Sequence, residues 1–302
     1  MKIGFIGAGK VGTAMGIYLQ NKVEVTGYYS RSYSSASKAA RYTESKGYKN
    51  LESLVHEADM IAITTPDDII KRVADDLLNI TMSWEGKIVL HMSGAHSSDV
   101  LSLLAEKGAT ILSLHPMLSF SEPFKAARDL SFASFTIEGR GNLLEKVKHL
   151  LDGIGNHWIE IPTQDKVLYH TAAVIVSNYL VTLIDTGVQM LISTGFTKED
   201  ATKLLTPLIK KTMETILEKG AEKALTGPIS RGDLGTLKMH LNNLENRNKS
   251  WLDSYKVLGV QTIDLALRAK RINDESANQM KGVLSQDDQK SNNGNIQEDE
   301  TR

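Results

Sequence analysis

The pattern of apolar and polar residues divides the chain into two parts. In the first part, short apolar runs alternate with stretches of helical periodicity, which is typical of βαβ units in a parallel sheet with helices on both faces. The predicted strands are residues 2–6, 23–30, 60–64, 87–92, 110–114, 132–139 and 158–161. Helices are predicted between them, among others at residues 10–20, 35–46 and 143–151. The pattern therefore predicts a doubly wound α/β domain with a mostly parallel sheet over residues 1–161.

The periodicity changes after Pro162. Residues 163–272 contain no convincing strand pattern, and helices are predicted at 163–194, 198–219, 234–244 and 251–271. Gly195 fits as a C-terminal cap of the first helix, and Pro207 is expected to interrupt the second. This pattern predicts an all-α helical domain over residues 162–284. The remaining residues, 285–302, contain one large apolar residue and are predicted to form a disordered tail.

Composition narrows the possible partners. A chain of 302 residues favours two domains, and a net charge of -1 gives no electrostatic reason to expect nucleic acid or an acidic membrane surface. No run reaches 18 uninterrupted apolar residues, so no membrane span is expected. The absence of cysteine excludes disulfides and zinc thiolate sites, which is compatible with the cytoplasm as the location. No metal-ligand spacing recommends a metal site.

A glycine motif follows the first predicted strand, in the segment "GFIGAGKVG". Gly7 permits a tight turn, Gly9 allows a pyrophosphate to approach the backbone, and Gly12 allows close packing of helix and strand. The candidate cofactor contacts in this loop are Gly7, Ala8, Gly9, Lys10, Val11 and Gly12. Because the loop leads into a helix N-terminus and the next strand has the right spacing, the motif predicts dinucleotide binding. The alternative is a purely structural glycine turn.

The residues after the second predicted strand indicate which dinucleotide is bound. An NAD site usually has an acidic residue at this point, whereas this chain has Ser30, Arg31 and Ser32. An arginine here suits a 2′-phosphate, so the predicted cofactor is NADP(H), unless Arg31 is simply a solvated surface residue. Loops after later strands supply the other candidate cofactor contacts, which are Thr65, Pro66, Ser93, Gly94 and His115. His115 has the alternative role of stabilising a turn.

Four polar residues interrupt the apolar helix predicted at 163–194: Lys166, His170, Ser177 and Asn178. Burying polar groups without partners costs a few kcal/mol each, so either other polar groups or a ligand must satisfy them. At 100° per residue, Lys166, His170 and Ser177 share one face, with Asn178 at its margin. Lys166 and His170 lie about 6 Å apart along the axis, so one small substrate can touch both. The alternatives are an exposed first-turn lysine and a satisfied core histidine.

A second polar group lies in the segment "LTGPISRGDLGTLKMH". Asp233 is a suitable N-cap for a helix that begins at Leu234. Ser230 and Arg231 then lie just ahead of a helix N-terminus, which is a natural site for a carboxylate. The alternative is a capped turn between helices without a ligand.

Taken together, these motifs resemble a known family. The segments "GFIGAGKVGTA", "TTPDD", "HMSGAHSSDVL", "SLHPMLSF", "YHTAAVIVSNYL" and "LTGPISRGD" are similar to those of Rossmann-like proteins with a DUF2520 helical domain. These proteins fall in the 6-phosphogluconate and β-hydroxyacid dehydrogenase superfamily, which includes ketopantoate reductase and pyrroline-5-carboxylate reductase. The resemblance covers about residues 1–270. It implies a Rossmann domain for residues 1–161 and a homodimer formed through the helical domain.

The resemblance also implies roles for individual residues. Lys166 matches the helix lysine that acts as general acid in the ketopantoate and β-hydroxyacid enzymes, and His170 stands where those enzymes have asparagine. Ser230 and Asp233 fall near the polar loop that holds the substrate in ketopantoate reductase, and Arg231 and Asn178 complete the candidate substrate contacts. The expected function is NADPH-dependent reduction of a small 2-oxo acid, with ketopantoate as the best single candidate. The alternatives are an imine reductase of the pyrroline-carboxylate type and a non-catalytic NADP-sensing module.

Overall fold

The computed structural model describes residues 1–285 and divides into two compact units, Met1–Leu180 and a second that begins at Val181. The first unit contains the whole sheet and continues into the long apolar helix. The predicted domain boundary after residue 161 stays a prediction, as does the boundary after residue 284. Apart from Ser285, the predicted tail lies outside the described residues.

The first unit is a doubly wound α/β domain, as predicted. Its sheet has the strand order β3-β2-β1-β4-β5-β6-β7-β8, and every neighbouring pair is parallel except β6 and β7, which are antiparallel. The strands are β1 Lys2–Ile6, β2 Glu24–Tyr29, β3 Lys46–Tyr48, β4 Met60–Ile63, β5 Ile88–His91, β6 Thr110–Pro116, β7 Phe135–Arg140 and β8 Trp158–Glu160. All four residues of β4 and of β5 are buried, as expected for parallel strands covered on both faces.

The sequence pattern did not predict β3, and it placed the first residue of β3, Lys46, at the end of a predicted helix. Helix α2, Tyr33–Tyr42, stops four residues before the predicted end. Glu44 adopts a φ of 48°, outside the right-handed helical region, so the chain leaves the helix there. The three residues of β3 then pair with β2 at one edge of the sheet.

Helices cover both faces of the sheet in this unit. The remaining ones are α1 Lys10–Leu19, α3 Leu51–Glu57, α4 Asp67–Leu78, α5 Ser102–Glu106, α6 Pro123–Asp129, α7 Leu144–Ile154 and α8 Lys166–Val174. One apolar core includes Phe5 stacked on Tyr28, and the core on the opposite face includes the buried Trp84. The two cores hold the carboxyl ends of β1, β4, β5 and β6 together at one edge, where open α/β sheets bind ligands.

The long apolar helix is present but is not uniform. A 3₁₀ turn at Thr163–Asp165 leads into α8, a π-helical segment follows at Ile175–Tyr179, and α9 spans Leu180–Ile192. A π-helical segment has more residues per turn than an α-helix, so the rotation of 100° per residue does not hold across it. Consequently Ser177 does not keep the predicted phase relative to Lys166.

The second unit contains helices and no strand within its described residues. After α9, they are α10 Lys198–Lys219, α11 Ala221–Ala224, α12 Leu234–Glu245, α13 Lys249–Arg268 and α14 Asp274–Ser285. The core of this unit includes Leu237 of α12, Ile263 and Ala266 of α13, and Met280 of α14. The prediction that Pro207 interrupts a helix is wrong, because Pro207 lies inside α10. The carbonyl that loses its hydrogen bond to Pro207 belongs to Lys203, which is exposed, so water can satisfy it.

Candidate cofactor and catalytic site

The glycines at both ends of the motif are required by the fold itself. Gly7 has a φ of 114°, and a Cβ there would lie 2.8 Å from the carbonyl carbon and oxygen of Thr64. A Cβ at Gly12 would collide with the carbonyl oxygen of Gly7. The Thr64 hydroxyl donates a hydrogen bond of 2.8 Å to that same oxygen, which ties the turn after β1 to the end of β4. These two glycines therefore shape the turn whether or not a ligand binds.

Gly9 differs from its neighbours because its surroundings are open. It is exposed, and no atom of the described residues lies within 4 Å of where its Cβ would be. Gly9 is the N-cap of α1, where no side chain caps the helix and the first turn has no acidic residue. In the loop after β4, the buried hydroxyl of Thr65 has no hydrogen-bond partner among residues 1–285. Uncapped backbone N–H groups beside open space fit a phosphate group.

The segment after β2 offers one available positive charge. Arg31 is exposed and makes no hydrogen bond or ion pair within the described part of the chain. The Ser32 hydroxyl caps α2 by accepting from the Ser35 N–H at 3.4 Å, and it also lies 2.7 Å from the Ser34 hydroxyl. Ser30 is half-buried. Of the three predicted residues, Arg31 has the geometry best suited to a 2′-phosphate.

The turn after β5 brings the sheet edge against helix α8. The Ser93 hydroxyl accepts hydrogen bonds from the N–H groups of Ala95 and His96, at 3.1 and 3.0 Å. At Gly94, a Cβ would collide with Nδ1 of His170 and would lie 2.9 Å from Nε2 of His115. A glycine at this position therefore lets the two histidine rings approach the backbone.

Four polar side chains meet beside this turn, and we call them the Lys–Tyr–His cluster: His115, Lys166, Tyr169 and His170. The Tyr169 hydroxyl lies 2.8 Å from Nδ1 of His115. The ring of His115 lies 5.7 Å from that of Tyr169 and 6.0 Å from that of His170, between centroids and edge-to-face in both cases. The Lys166 ammonium lies 5.3 Å from the centroid of the Tyr169 ring, within the range of a cation–π contact.

Lys166 is buried at the start of α8 rather than exposed, which contradicts the alternative of a surface lysine. Its side chain is 1% exposed, and its Nζ has no hydrogen-bond partner among residues 1–285. Burial lowers the pKa of Lys166 from 10.5 to about 8, although the negative charges of Glu138 and Asp67 act in the opposite direction. A buried ammonium without a partner is costly, which indicates a functional position.

Glu138 is a second buried charged residue of this region. One of its carboxylate oxygens accepts from the Ser98 backbone N–H, and the other accepts from the hydroxyls of Ser98, at 2.9 Å, and Thr163, at 3.1 Å. Its hydrogen bonds thus come from neutral donors, and it makes no ion pair with Lys166. Glu138 therefore supplies a fixed negative charge close to the cluster.

Two histidines of this region, His115 and His91, are held neutral by burial. Burial and the positive charge of Lys166 lower the pKa of His115 to about 3. Burial also lowers the pKa of His91 to about 4; its Nε2 donates to the Ser97 carbonyl at 3.1 Å, and its Nδ1 accepts from the Ser93 N–H. Nδ1 of His170 is buried without a partner within residues 1–285, which contradicts the alternative of a satisfied core histidine.

The other predicted substrate contacts belong to other elements of the chain. Asn178 is exposed and belongs to the π-helical segment, outside the Lys–Tyr–His cluster. Ser230 and Arg231 form a 3₁₀ turn in the second unit, followed by Asp233. Asp233 caps α12 as predicted, by accepting from the N–H and hydroxyl of Thr236 at 3.0 and 2.7 Å, and these bonds lower its pKa.

Sequence reasoning missed two residues of the site. Tyr169 stands directly before His170 in "YH", and its hydroxyl group within an apolar helix is a signal that could have found it. Glu138 is the one acidic residue in the apolar strand segment "FTIEG", and a charge inside a buried strand is the signal that could have found it. As for metals, the described residues contain no group of three or more His, Asp or Glu that could hold an ion.

The fold and the site define a Rossmann-like domain joined to a helical domain, and the family models agree. The Rossmann-like domain model matches residues 1–116, and the domain of unknown function DUF2520 matches residues 133–262. The chain therefore combines a Rossmann-like domain with a DUF2520 domain, which confirms the resemblance. No curated protein matches the sequence.

Solved structures share this fold over nearly the whole chain. A Bacteroides fragilis protein classed as an NADP oxidoreductase is 20% identical with a TM-score of 0.69, covering 87% of this chain and 98% of its own. A Thermotoga maritima protein is 25% identical with a TM-score of 0.65, covering 95% and 99%. The Plasmodium falciparum pyrroline carboxylate reductase, solved with NADP bound, is 16% identical with a TM-score of 0.54, covering 94% and 98%. At these identities the likeness establishes the fold.

Proposed function

We propose that this protein is a cytoplasmic NADPH-dependent reductase of a small 2-oxo acid, with ketopantoate as the first candidate substrate. The observation that carries the proposal is the buried, unpartnered Lys166 beside His115 and Tyr169. These groups lie at the carboxyl edge of the same sheet that carries the open glycine loop, which is where such sheets bind ligands. The NADP complex and the NADP oxidoreductase among the structural neighbours support the choice of cofactor.

The cofactor site combines the glycine loop with Arg31. Backbone N–H groups beginning at Gly9 and Lys10 face open space and suit the pyrophosphate, while Arg31 suits the 2′-phosphate. The backbone of the loop, including Ala8 and Val11, supports this contact, and Thr65, Pro66, Ser93 and Gly94 form the neighbouring wall. When bound, the reduced nicotinamide supplies a hydride to an electrophilic carbon.

Lys166 and His170 are proposed to act on the substrate oxygen. As a carbonyl is reduced, negative charge grows on that oxygen, and a nearby positive charge in a low-dielectric site stabilises it. Lys166 supplies that charge, and His170 positions the substrate. For the rest of the substrate we propose Ser230, Arg231 and Asp233, with Asn178, as groups that hold its carboxylate and hydroxyl.

Reduction of a cyclic imine of the pyrroline-carboxylate type is the second candidate. The Plasmodium falciparum neighbour is a pyrroline carboxylate reductase, which favours it. The Lys–Tyr–His cluster favours the carbonyl instead, because an imine can arrive already protonated, whereas a carbonyl oxygen needs a proton during reduction. The third alternative, a non-catalytic NADP sensor, needs the phosphate site but has no use for a buried Lys166.

The cofactor assignment is tested by binding. NADPH is expected to bind at least about tenfold more tightly than NADH, which corresponds to about 1.4 kcal/mol. Replacing Arg31→Asp should remove most of that preference, because the 2′-phosphate loses its cation and meets a negative charge. Lys38→Asp, an exposed charge reversal on α2, is the matched control and should leave the ratio of dissociation constants unchanged. Equal affinities for the two cofactors in the unmutated protein would contradict the assignment.

The reaction is tested by following NADPH oxidation at 340 nm with ketopantoate and with pyrroline-5-carboxylate. Faster turnover of ketopantoate supports the first candidate, and faster turnover of pyrroline-5-carboxylate supports the second. Steady NADPH oxidation with either substrate excludes the sensor. NADPH binding without oxidation of either compound would support the sensor and refute both reductases.

We propose in addition that the protein is a homodimer formed through its long apolar helix. Thr163–Ile192 contains an 18-residue window of mean hydropathy 1.6, none of which is buried within the chain. By length and composition alone, this helix is also able to cross a membrane. The expectation of no membrane span was based on uninterrupted apolar runs alone. Leu168, Val176 and Val181 are each about 70% exposed, and a second copy of the helix would cover them.

Light scattering after size-exclusion chromatography tests the dimer. The unmutated protein should have twice the mass of the chain, and Val176→Glu should shift it towards the monomer. Leu103→Glu replaces an exposed leucine on α5 and serves as the control that should stay dimeric. A monomer in the unmutated protein, or co-sedimentation with phospholipid vesicles in place of dimer formation, would refute this proposal.

A further inference from the structure

We propose that Tyr169 is the proton donor of the reaction, and that Lys166 acts on it and on the substrate oxygen through its charge alone. This inference rests on the proposed reduction of a carbonyl. It changes the assignment that the resemblance implies, in which the helix lysine gives up the proton.

The first reason is that the Lys166 ammonium is sealed off. Less than 1 Å² of its Nζ is accessible, and its side chain is among the largest fully buried ones in the described residues. A surface that excludes water also excludes a substrate carbonyl, because hydrogen bonding requires heavy atoms about 2.7–3.2 Å apart. Lys166 therefore does not reach the reacting oxygen without a rearrangement of α8.

The second reason is the environment of the Tyr169 hydroxyl. Tyr169 is half-buried, and its hydroxyl contacts Nδ1 of His115 at 2.8 Å and lies 3.8 Å from the sulfur of the exposed Met117. This hydroxyl is located between the buried lysine and the end of β6, at the ligand-binding edge of the sheet. Of the two residues, Tyr169 is half-buried and Lys166 is fully buried, so a substrate is more easily brought to the tyrosine.

The hydrogen bond to His115 leaves the tyrosine proton available. His115 is neutral, so one of its two ring nitrogens carries a hydrogen. With that hydrogen on Nδ1, His115 donates to the Tyr169 oxygen. The Tyr169 hydroxyl then donates to the sulfur of Met117 at 3.8 Å, a weak acceptor that a substrate oxygen can replace. Burial raises the pKa of Tyr169, which keeps its hydroxyl protonated at neutral pH.

As the hydride supplied by NADPH, which is oxidised to NADP⁺, adds to the carbonyl carbon, the C=O π bond breaks and its electron pair moves to the oxygen. The O–H bond of Tyr169 breaks, and its proton forms the new O–H bond of the alcohol. The tyrosinate that remains is stabilised by the Nδ1–H of His115 and by the positive charge of Lys166, and it regains a proton from solvent after the product leaves.

His170 is a weaker candidate for the donor. Its Nδ1 is buried against the backbone of Gly94 and has no hydrogen-bond partner in the part of the chain that the structure describes. A proton on Nδ1 could not be passed to a substrate from there. The His170 ring lies edge-to-face with the His115 ring, with 6.0 Å between their centroids, so besides positioning the substrate it helps to hold His115 in place.

The direct test compares two tyrosines of the same helical run. Tyr169→Phe should lower kcat at least about 10²-fold, the usual loss for a general acid, and leave the dissociation constant for NADPH unchanged. Tyr179→Phe removes a hydroxyl from an exposed ring in the π-helical segment and should keep the unmutated rate. Wild-type turnover by Tyr169→Phe, with the substrate that the unmutated protein reduces, would overturn the inference.

A second measurement uses the protein without cofactor or substrate. Brief treatment with acetic anhydride, followed by peptide mass spectrometry, gives the relative reactivity of each lysine. Lys166 should react at least about tenfold more slowly than the exposed Lys125 and Lys210, because its amine is sealed. Reaction at Lys166 as fast as at these controls would show an accessible amine and overturn the argument against it. If the unmutated protein neither binds nor oxidises NADPH, the proposed function has failed instead, and the labelling result still decides whether Lys166 is sealed.

Discussion

Replacing Lys166→Met should make the protein more stable while making it a poorer enzyme. Methionine fills a similar volume with an apolar chain and removes a buried ammonium that has no hydrogen-bond partner among residues 1–285. Losing the charge should lower turnover about 10² to 10³-fold, the usual cost of removing one group that stabilises a developing oxyanion. A gain in stability combined with a loss of activity is the signature of a charge kept for function.

The size of the gain follows from the pKa. The lowering of the Lys166 pKa from 10.5 to about 8 means that folding disfavours the charged amine by about 3 kcal/mol, at 1.36 kcal/mol per pKa unit. Between pH 8 and 10.5 the unfolded chain binds this proton and the folded chain does not, so the stability of the unmutated protein rises with pH through that window. Below pH 8 the full penalty applies. The Lys166→Met variant has no such penalty. Its free energy of unfolding should therefore exceed that of the unmutated protein by up to about 3 kcal/mol at pH 7, and the difference should vanish near pH 10.5.

Urea unfolding at pH 7, 9 and 10.5, followed by tryptophan fluorescence, measures this difference. Trp84 lies in the core of the first unit and reports its unfolding. Lys125→Met, at an exposed position on α6, is the control and should change stability by less than about 0.5 kcal/mol at every pH. A Lys166→Met variant that is less stable at pH 7, or whose advantage does not shrink as the pH rises, would refute the reasoning.

Four further substitutions test the glycine loop and the cluster. Gly12→Ala should lower the melting temperature even without cofactor, because its Cβ would collide with the Gly7 carbonyl oxygen. Gly9→Ala, at an open position, should leave the melting temperature nearly unchanged and should weaken NADPH binding in titrations. Gly94→Ala should lower kcat, because its Cβ would collide with Nδ1 of His170 and displace that ring. An unchanged kcat would mean that the ring position does not matter. His170→Asn should keep substantial activity with ketopantoate, and no such tolerance is expected with pyrroline-5-carboxylate; equal losses with both substrates in the NADPH assay would contradict this.

Local sequence was sufficient for much of the fold. A parallel strand buried on both faces must be a continuous apolar run, so Met60–Ile63 and Ile88–His91 were recognisable from their residues alone. The glycine motif was recognisable for a similar reason, because a turn with the φ of Gly7 excludes most other residues. Asp233 was identified as a cap because capping depends on residues within one turn.

Other features depend on contacts between distant segments, and only the tertiary structure decided them. Pairing with β2 gives β3 its strand conformation. Packing in the core of the second unit holds α14, whose apolar residues Ala277, Met280 and Leu284 are widely spaced along the chain. Tyr169 acquires its partner His115 from a strand 54 positions away in the sequence. The periodicity placed Lys166 and His170 in an apolar helix but left open whether they were exposed, because a single helix does not reveal which elements cover it. Burial and the absence of hydrogen-bond partners are set by the packing of α8 against the edge of the sheet, and that packing brings the four side chains of the Lys–Tyr–His cluster together.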